Sequence, residues 1–199
     1  MKLVILDRDG TLNPLGDDFI TCADEWEPLP GALEAVARLN HAGWHVVVVS
    51  NQPGLGRGLF DVVALNALHA KLYRQLAAVG GRVDAVFFCP HTPDEHCHCR
   101  APAPGLLEQI VERYGVDPRD VQVVGSSLDW ALAGMALGAR VHGLPPGREA
   151  PAGTEALPAP ESLPSFPPFP PPVRRHASLT AMVAELLAAP PASGAAAAA

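Results

Sequence analysis

The feature that most constrains the fold of this chain is a series of short apolar runs separated by segments of helical periodicity. LVIL at residues 3–6 and the valine-rich run WHVVVV at 44–49 are typical of strands that are covered on both faces. Between them, residues 31–43 repeat apolar side chains at the spacing of one helical face and end at a glycine. This order predicts a βαβ unit with parallel strands.

The same alternation continues along the rest of the chain. Helices are expected at 61–81, 105–115 and 128–138, and strands at 83–88, 121–125 and 139–144. The fold class is therefore α/β, a Rossmann-like three-layer α/β/α arrangement with helices on both faces of a parallel sheet. Residues suited to a site follow the strands at one edge of that sheet: Asp7, Asp9, Ser50, Asn51, Cys89 and Gly125. Because active sites of such folds lie at the carboxyl ends of the strands, we expect these residues to converge there.

Composition excludes several classes of partner. The 199 residues, 48% of them hydrophobic, are sufficient for one domain with a substantial core. The formal net charge of −7 gives a nucleic-acid partner no electrostatic support. No signal peptide is indicated, and no run approaches the ~18 apolar residues of a membrane span. We therefore expect a cytoplasmic monomer whose partner is a small molecule rather than a nucleic acid or a membrane.

Two aspartates, Asp7 and Asp9, stand at the end of the first expected strand and are followed by Gly10 and Thr11. An isolated aspartate at such a place is most often a helix cap or a turn former. Two carboxylates at this spacing can both face one ligand. One can attack a phosphoryl phosphorus, while the other protonates the leaving oxygen and then deprotonates the hydrolytic water. Because two carboxylates repel a phosphate, such a site requires a cation, normally Mg²⁺.

The segment LDRDGTLN, residues 6–13, resembles the first motif of the haloacid dehalogenase superfamily of phosphatases. Within it, the resemblance is to the branch of the D,D-heptose 1,7-bisphosphate 7-phosphatases and histidinol-phosphate phosphatases, and it extends over residues 1–144. It implies the haloacid dehalogenase fold for this domain. It also implies that Asp7 is the nucleophile, that Asp9 is the general acid/base, and that Asp7 and the backbone carbonyl of Asp9 bind Mg²⁺.

A second motif, VVVVSNQPGLGRG, follows at residues 46–58. Taken alone, SNQPG would be an ordinary turn. The resemblance implies that Ser50 donates a hydrogen bond to the transferring phosphoryl group. It also implies substrate contacts from three further residues: Asn51, Gln52 and Arg57. The segment GDDFI, residues 16–20, aligns with a substrate-contacting loop of the family.

Three of the four cysteines are clustered in CPHTPDEHCHCRAPAPG, residues 89–105. The Cys-x-His-x5-Cys-x-Cys spacing offers three thiolates and one imidazole, which predicts a closed, structural zinc site rather than chance cysteines in a surface loop. On spacing alone, His96 and His98 compete with His91, and the resemblance favours His91. The expected zinc ligands are Cys89, His91, Cys97 and Cys99. Cys22 stands apart and is expected to be a packed thiol.

Two positions depart from the family pattern. CRAPAPG, residues 99–105, keeps Arg100, which the resemblance assigns to substrate recognition, but it has Ala101 where the family has a phosphate-neutralising lysine. After the fourth strand, Ser126 replaces an Mg²⁺-binding aspartate, and a hydroxyl is a poorer ligand for that ion. Asp129 could bind the ion through water, but it fits better as an N-terminal acid of the next helix. We expect slow catalysis and weak Mg²⁺ binding.

The sequence changes character beyond residue 144. Residues 145–177 are rich in proline and are expected to form an extended or disordered linker. Residues 178–189 have the pattern of a short amphipathic helix with Ser178 as its N-cap. Residues 190–199 form a low-complexity tail to which no fold is assigned.

Two classes of function are compatible with these observations. The first is a Mg²⁺-dependent phosphomonoesterase that removes the 7-phosphate of D-glycero-D-manno-heptose 1,7-bisphosphate through a phosphoaspartate at Asp7, with histidinol phosphate or another small sugar phosphate as alternative substrates. The second is a catalytically weak or inactive protein of the same fold that acts as a binding or scaffold module. Ala101 and Ser126 are the positions that discriminate between them.

Overall fold

The computed structural model describes residues 1–16, 19–147 and 167–189. Their centre is a parallel sheet of six strands in the order β3-β2-β1-β4-β5-β6. The strands are β1 (Leu3–Asp7), β2 (His45–Asn51), β3 (Ala85–Cys89), β4 (Val121–Gly125), β5 (Arg140–Gly143) and β6 (Arg174–Arg175). The expected α/β class with a parallel sheet is confirmed.

Helices connect the strands and cover both faces of the sheet. They are α1 (Ala32–His41), α2 (Pro53–Gly56), α3 (Val62–Ala78), α4 (Gly105–Tyr114), α5 (Leu128–Leu137) and α6 (Leu179–Ala188), with short 3₁₀ turns at Pro93–Glu95 and Pro118–Asp120. None of these helices, which include all those in the described part of the chain, is long and apolar enough to cross a membrane.

Successive side chains of β1 point to opposite faces of the sheet and contribute to two hydrophobic cores, one on each face. Val4 and Leu6 belong to the cluster that includes leucines of α1 and α3 and the apolar face of α6. Leu3 and Ile5 belong to the opposite cluster, with α4 and α5. All four side chains are fully buried, so both faces of β1 are covered. This explains why the sequence of the central strand is apolar without interruption.

The register of the strands brings their carboxyl ends to one edge. Asp7 pairs with Val49 of β2, Asn51 pairs with Cys89 of β3, and the β4 residues next to Gly125 pair with β1 and β5. This edge is therefore shared by the first aspartate, the SNQ segment and the start of the cysteine loop, as the order of elements predicted.

The sixth strand lies within the linker expected over 145–177 and was not predicted. Arg174 and Arg175 pair with β5, and nearby Phe169 is buried against Gly143. A two-residue strand carries no periodicity, so its pairing depends on contacts that become available only when the sheet has formed. The remainder of the expected linker at 148–166 and the tail at 190–199 lie outside the described residues.

The C-terminal helix packs on α1. Ser178 precedes α6 and its hydroxyl accepts a hydrogen bond from the backbone N–H of Ala181 at 3.1 Å, as an N-cap does. The hydroxyl of Thr180 donates to the carbonyl of Gly31 at 3.3 Å, which links the first turn of α6 to the start of α1.

Candidate active site and metal cluster

Asp7 is the last residue of β1 and is 4% exposed at the carboxyl edge of the sheet. Burial, and next the charge of Asp9, raise the pKa of Asp7 well above its ordinary value. Gly125 of β4 lies alongside, where an added Cβ would stand 3.4 Å from the Cβ of Asp7. A cation at this carboxylate would offset the cost of its charge in so buried a position.

The Asp9 carboxylate is held on both oxygens. Arg8 donates from Nε to Oδ1 at 3.0 Å and from Nη2 to Oδ2 at 3.1 Å. Asn13 Nδ2 donates to Oδ1 and Gln52 Nε2 donates to Oδ2, each at 3.1 Å. Four donors on one carboxylate fix its orientation.

A second set of contacts orients these donors. The indole Nε1 of Trp26 donates to the Oδ1 of Asn13 at 3.0 Å, and Trp26 is itself fully buried. This contact aims the Asn13 amide nitrogen at Asp9. The sequence did not predict a role for Arg8, Asn13 or Trp26, and Gln52 was expected to bind substrate rather than to position Asp9. The charge of Arg8 next to two acids was the available signal.

A cavity of about 270 Å³ opens in front of the two aspartates. Its charged lining residues include Asp7, Asp9 and Arg100, and Phe19 and Ile20 supply apolar surface. The other lining residues are Arg8, Pro14, Leu15, Gly16, Asn51, Gln52, Pro53, Ser126, Ser127, Asp129 and Trp130. Of the expected substrate loop 16–20, three residues therefore line the cavity, and positions 17 and 18 lie outside the described residues.

The residues of the second motif have different surroundings. Ser50 is fully buried; its hydroxyl finds no hydrogen-bond partner in the described part of the chain, and the residue does not line the cavity. Asn51 lines the cavity, but its side chain pairs with the backbone of Ala101, accepting at 3.2 Å and donating at 3.3 Å. The Asn51 amide thereby ties the end of β2 to the segment after the cysteine loop.

The two arginines expected to contact substrate are placed differently. Arg100 lines the cavity, and its Nη1 is buried without a hydrogen-bond partner among the described residues, which suits an anionic ligand. Arg57 is exposed and does not line the cavity. Its guanidinium lies 5.7 Å from the ring centroid of Phe19, which is a lining residue. Arg57 therefore contacts the cavity wall rather than the cavity.

The two positions that depart from the family pattern differ in their relation to the cavity. Ala101 is 1% exposed and packs in the core beside α4. Ser126 lines the cavity, and its hydroxyl donates to the backbone carbonyl of Asp9 at 3.2 Å. Gly10 has a φ of 80°, and an added Cβ there would overlap the Ser126 hydroxyl, so the loop fits closely over this residue. Asp129 lies in the first turn of α5 and also lines the cavity, so both of its expected roles are compatible with its position.

These donors fit a magnesium ion. Mg²⁺ is commonly bound by one or two carboxylates together with water and substrate phosphate. Asp7 supplies a carboxylate, and the Asp9 carbonyl retains a second lone pair beside the hydrogen bond from Ser126. With Ser126 in place of an acid, the site offers less negative charge to the ion than an aspartate there would give.

The cysteine loop brings four ligand atoms together. The side chains of Cys89, His91, Cys97 and Cys99 place their ligand atoms within 4.8 Å of one another. Five of the six separations between these atoms are 3.2–3.6 Å, near the roughly 3.7 Å edge of a tetrahedral site built on zinc–sulfur bonds of about 2.3 Å. Three sulfurs and one imidazole nitrogen are a donor set that zinc prefers.

The competing histidines are outside this cluster. His98 contacts Glu108 of α4 at 2.9 Å and is exposed, while His96 is exposed with a φ of 46°. The cluster is attached to the active-site edge, because the carbonyl of Cys89 accepts from the backbone of Gln52 at 2.7 Å. Burial, and next a hydrogen bond with Cys99, raise the pKa of Cys89 to about 12, so a bound metal would have to displace its proton.

Comparison with known proteins identifies the family to which this chain belongs. Residues 15–138 match the family of haloacid dehalogenase-like hydrolases. The chain is 56% identical over 128 residues to the D-glycero-β-D-manno-heptose-1,7-bisphosphate 7-phosphatase of Bordetella bronchiseptica, a match that covers 64% of this chain and 72% of the relative. It is 50% identical over 127 residues to the protein of the same name from Pseudomonas aeruginosa, covering 64% and 71%.

A solved structure is similar over nearly the whole chain. The D,D-heptose 1,7-bisphosphate phosphatase of B. bronchiseptica, in complex with magnesium and phosphate, has a TM-score of 0.80 and 43% sequence identity to this chain. The similarity covers 94% of this chain and 98% of that one.

Proposed function

Because the chain belongs to the haloacid dehalogenase-like hydrolases, we propose that it is a phosphatase that removes the 7-phosphate from D-glycero-β-D-manno-heptose 1,7-bisphosphate. The observation that carries the proposal is the buried Asp7 beside the fully hydrogen-bonded Asp9 at the mouth of a cavity that Arg100 also lines. The β anomer is favoured because the relatives of 50–56% identity are phosphatases of that anomer.

The reaction would proceed in two displacements at the Asp7 carboxylate. In the first, an oxygen of Asp7 attacks the phosphorus of the 7-phosphate, the bond from phosphorus to O7 breaks, and Asp9 transfers a proton to O7. In the second, Asp9 takes a proton from a water molecule, whose oxygen attacks the phosphorus of the phosphoaspartate. The phosphorus–Asp7 bond then breaks, which releases inorganic phosphate and restores both aspartates.

Other groups at the cavity would support these steps. Arg100 is placed to bind phosphate oxygens, and its unpaired Nη1 is a donor that a phosphate can satisfy. The Ser50 hydroxyl, which also lacks a partner among the described residues, is proposed as a donor to the transferring phosphoryl group. Mg²⁺ held by Asp7 and the Asp9 carbonyl would neutralise charge between the phosphate and the carboxylates.

Zinc is proposed as a structural cofactor at Cys89, His91, Cys97 and Cys99. All four positions carry protein side chains, so a tetrahedral ion there has no open position for substrate. The reduced cysteines that such a site needs support a cytoplasmic location. We also propose that the enzyme acts as a monomer on a free sugar phosphate.

The direct test is phosphate release from the β-heptose 1,7-bisphosphate with and without Mg²⁺, by the parent protein and by Asp7→Asn. We expect Mg²⁺-dependent release in the parent and a loss of at least about 10³-fold in the variant, because the nucleophile is removed. The α anomer and histidinol phosphate serve as comparison substrates. Equal rates for parent and Asp7→Asn would overturn the mechanism, and a preference for either comparison substrate would overturn the assigned substrate.

The second candidate function is a binding or scaffold module with little catalysis. The observations that favour it are Ala101, which is buried away from the cavity, and Ser126, which offers the ion a hydroxyl. Tight binding of the bisphosphate by the parent, measured by calorimetry without detectable turnover, would support this alternative.

A further inference from the structure

Gly147 binds the loop that follows β1 through both of its backbone groups. Its N–H donates to the carbonyl of Gly10 at 2.9 Å, and its carbonyl accepts from the N–H of Leu15 at 2.7 Å. Gly147 lies just beyond β5, which ends at Gly143, so these two bonds join distant parts of the sequence. The mechanism proposed above assigns Gly147 no part.

Leu15 lies at the wall of the cavity in front of the two aspartates. It is 43% exposed and is one of the residues that line this cavity. An added Cβ at Gly10 would stand 3.4 Å from the Cβ of Leu15 and would overlap the hydroxyl of Ser126, so Leu15 and Ser126 flank the same glycine. A side chain as exposed as Leu15 is not held by core packing. Its place at the cavity wall therefore depends on how its backbone is fixed.

Two hydrogen bonds hold the backbone of residues 14–16, the described start of this loop. In the first, Asn13 Nδ2 donates to the carbonyl of Pro14 at 2.9 Å, so this bond comes from within the same loop. The second is the bond from Leu15 to Gly147, and of the two it alone reaches another element of the fold. Because Gly147 is also bound to Gly10 at the end of β1, it fixes Leu15 relative to the aspartates.

The space around Gly147 explains why a glycine stands there. An added Cβ would overlap the side chain of Leu29 and would stand 2.9 Å from its Cγ. Leu29 is itself fixed, since its N–H donates to the carbonyl of Leu12 at 2.8 Å and its side chain packs against the core beside α1. Gly147 thus lies between Leu29 and the loop. A larger residue would displace either its own backbone or Leu29.

We infer that Gly147 is a positioning residue for the substrate: its two backbone hydrogen bonds place Leu15 as the part of the cavity wall against which the carbon skeleton of the sugar phosphate lies. The substrate in this inference rests on the proposed function. Leu15 has no group that transfers a proton or a phosphoryl group, so its contact with the sugar is equal in the ground state and the transition state. Loss of that contact should raise KM and leave kcat nearly unchanged.

The kinetic test compares Gly147→Ala with Leu29→Ala and with the variant that carries both changes. We expect Gly147→Ala to raise KM about 10-fold with kcat within about threefold, because the added methyl group displaces the backbone that holds Leu15. Leu29→Ala is the matched control: it keeps Gly147 and should leave KM within about twofold of the parent. The double variant has room for the methyl group and should recover most of the parent KM. Parent-like KM in Gly147→Ala, or no recovery in the double variant, would overturn the inference.

Leu15→Ala tests whether Gly147 acts through this side chain. Leu15→Ala should itself raise KM, and adding Gly147→Ala to it should raise KM by no more than about twofold further, since two changes that remove the same contact are not additive. Fully multiplicative effects on KM would mean that Gly147 acts on another part of the molecule, which would overturn the inference.

Hydrogen exchange of the Leu15 amide separates this inference from the proposed function, because it needs neither substrate nor turnover. We expect this amide to be protected in the parent protein and in Leu29→Ala, and to exchange at least about 10-fold faster in Gly147→Ala. Rapid exchange of the Leu15 amide in the parent would overturn the inference even if phosphate release is normal. A protected amide without phosphate release from the heptose bisphosphate would instead contradict the phosphatase proposal and leave the contact between Gly147 and Leu15 standing.

Discussion

Ala101 and Ser126 differ in their surroundings, and this determines what a substitution at each would do. Ser126 faces the cavity and bonds the Asp9 carbonyl, so an aspartate there would add charge directly where Mg²⁺ is expected. Ala101 is packed in the core, and a lysine must extend from it toward the cavity to be useful. The two replacements are opposite in charge, so each is expected to compensate the other when both are made.

We predict that Ser126→Asp combined with Ala101→Lys raises kcat/KM by about 10²–10³-fold, the usual effect of one well-placed electrostatic group. Ser126→Asp alone should tighten Mg²⁺ binding about 10-fold or more, measured by calorimetric titration. Ala101→Lys alone should lower Tm, because it introduces a charge without a partner into a packed position. If the double variant gains nothing, these two positions are not weakened parts of an active enzyme.

Single residues at this site differ in how far the sequence can reveal them. Asp7 and Asp9 were predicted as site residues because they stand two residues apart directly after an apolar strand. That pattern is visible within one short stretch of the sequence. The hydrogen bond between Trp26 and Asn13 was not predicted. These two residues lie in loops and meet only after folding, so no periodic pattern in the sequence relates them. Arg57 was expected to contact substrate, and in the structure its guanidinium lies over the ring of Phe19, because the direction of a loop side chain is decided by its tertiary neighbours.

At the scale of elements, the cysteine loop supports the active-site edge. Gly56 of α2 donates its N–H to the carbonyl of Pro90 at 3.1 Å, and an added Cβ at Gly56 would stand 2.8 Å from that oxygen. After the loop, the backbone of Ala101 is bound by the Asn51 amide. A metal that orders the loop therefore also orders the approach to Arg100.

We predict that loss of zinc destabilises the protein and lowers its activity. Cys97→Ser should reduce the zinc content from about one ion per chain and lower Tm by about 5–10 °C, which corresponds to a few kcal/mol at this size. The same variant should raise KM, because Arg100 follows the loop directly. Cys22→Ser is the matched control, since Cys22 lies outside the cluster. Unchanged zinc content in Cys97→Ser, by elemental analysis, would contradict the ligand assignment.

Elements with a long repeating pattern were predicted, and those without one were not. Helix α3 has several leucines at helical spacing, and β1 and β2 each have several consecutive apolar residues. Patterns of this length seldom arise by chance, so they identify a helix or a strand. Helix α2 has four residues and β6 has two, which is only about one repeat of the helical and of the strand period, so neither can show a recurring pattern. Their existence depends on neighbours: β6 requires the exposed edge of β5, which no local sequence encodes.

At the scale of the whole molecule, buried histidines link the C-terminal segment to the sheet. His142 of β5 contacts Gln122 of β4 through Nε2 and His176 through Nδ1, each at 2.9 Å. The Nδ1 of His176 lies 3.1 Å from a carboxylate oxygen of Glu185 in α6. The connection runs from β4 through β5 to the last helix, so it couples the stability of that helix to the sheet.

We predict that truncation after residue 166 lowers Tm. It would remove Phe169 from the surface of β5, expose the edge that β6 covers and uncover the apolar face that α6 packs on α1. Buried apolar area of this kind contributes about 25 cal/mol per Å², so the loss should amount to several kcal/mol. Thermal unfolding with and without residues 167–199 measures it, and an unchanged Tm would mean that these contacts contribute nothing to stability.

Buried histidines also set the response of the whole fold to acid. Burial, followed by a nearby cationic or imidazole group, lowers the pKa of His69 and of His142 to about 4, against about 6.5 when unfolded. Both are neutral in the folded state and take up a proton on unfolding below pH 6.5. The unfolded state then binds more protons, so the stabilising contribution is complete above pH 6.5 and is lost as pH falls toward 4.

The expected result is a steep loss of stability between pH 6.5 and 5, before most carboxylates titrate. The two imidazoles alone give a slope of about 2.7 kcal/mol per pH unit in the free energy of unfolding, and the raised pKa of Asp7 opposes it, because the folded protein holds a proton there that the unfolded chain releases. Urea denaturation at a series of pH values measures the net slope, and His69→Gln should lower it by up to about 1.4 kcal/mol per pH unit by removing one of the two imidazoles. A flat profile over this range would show that these imidazoles are protonated as easily in the folded protein as in the unfolded chain, which would contradict their burial as neutral groups.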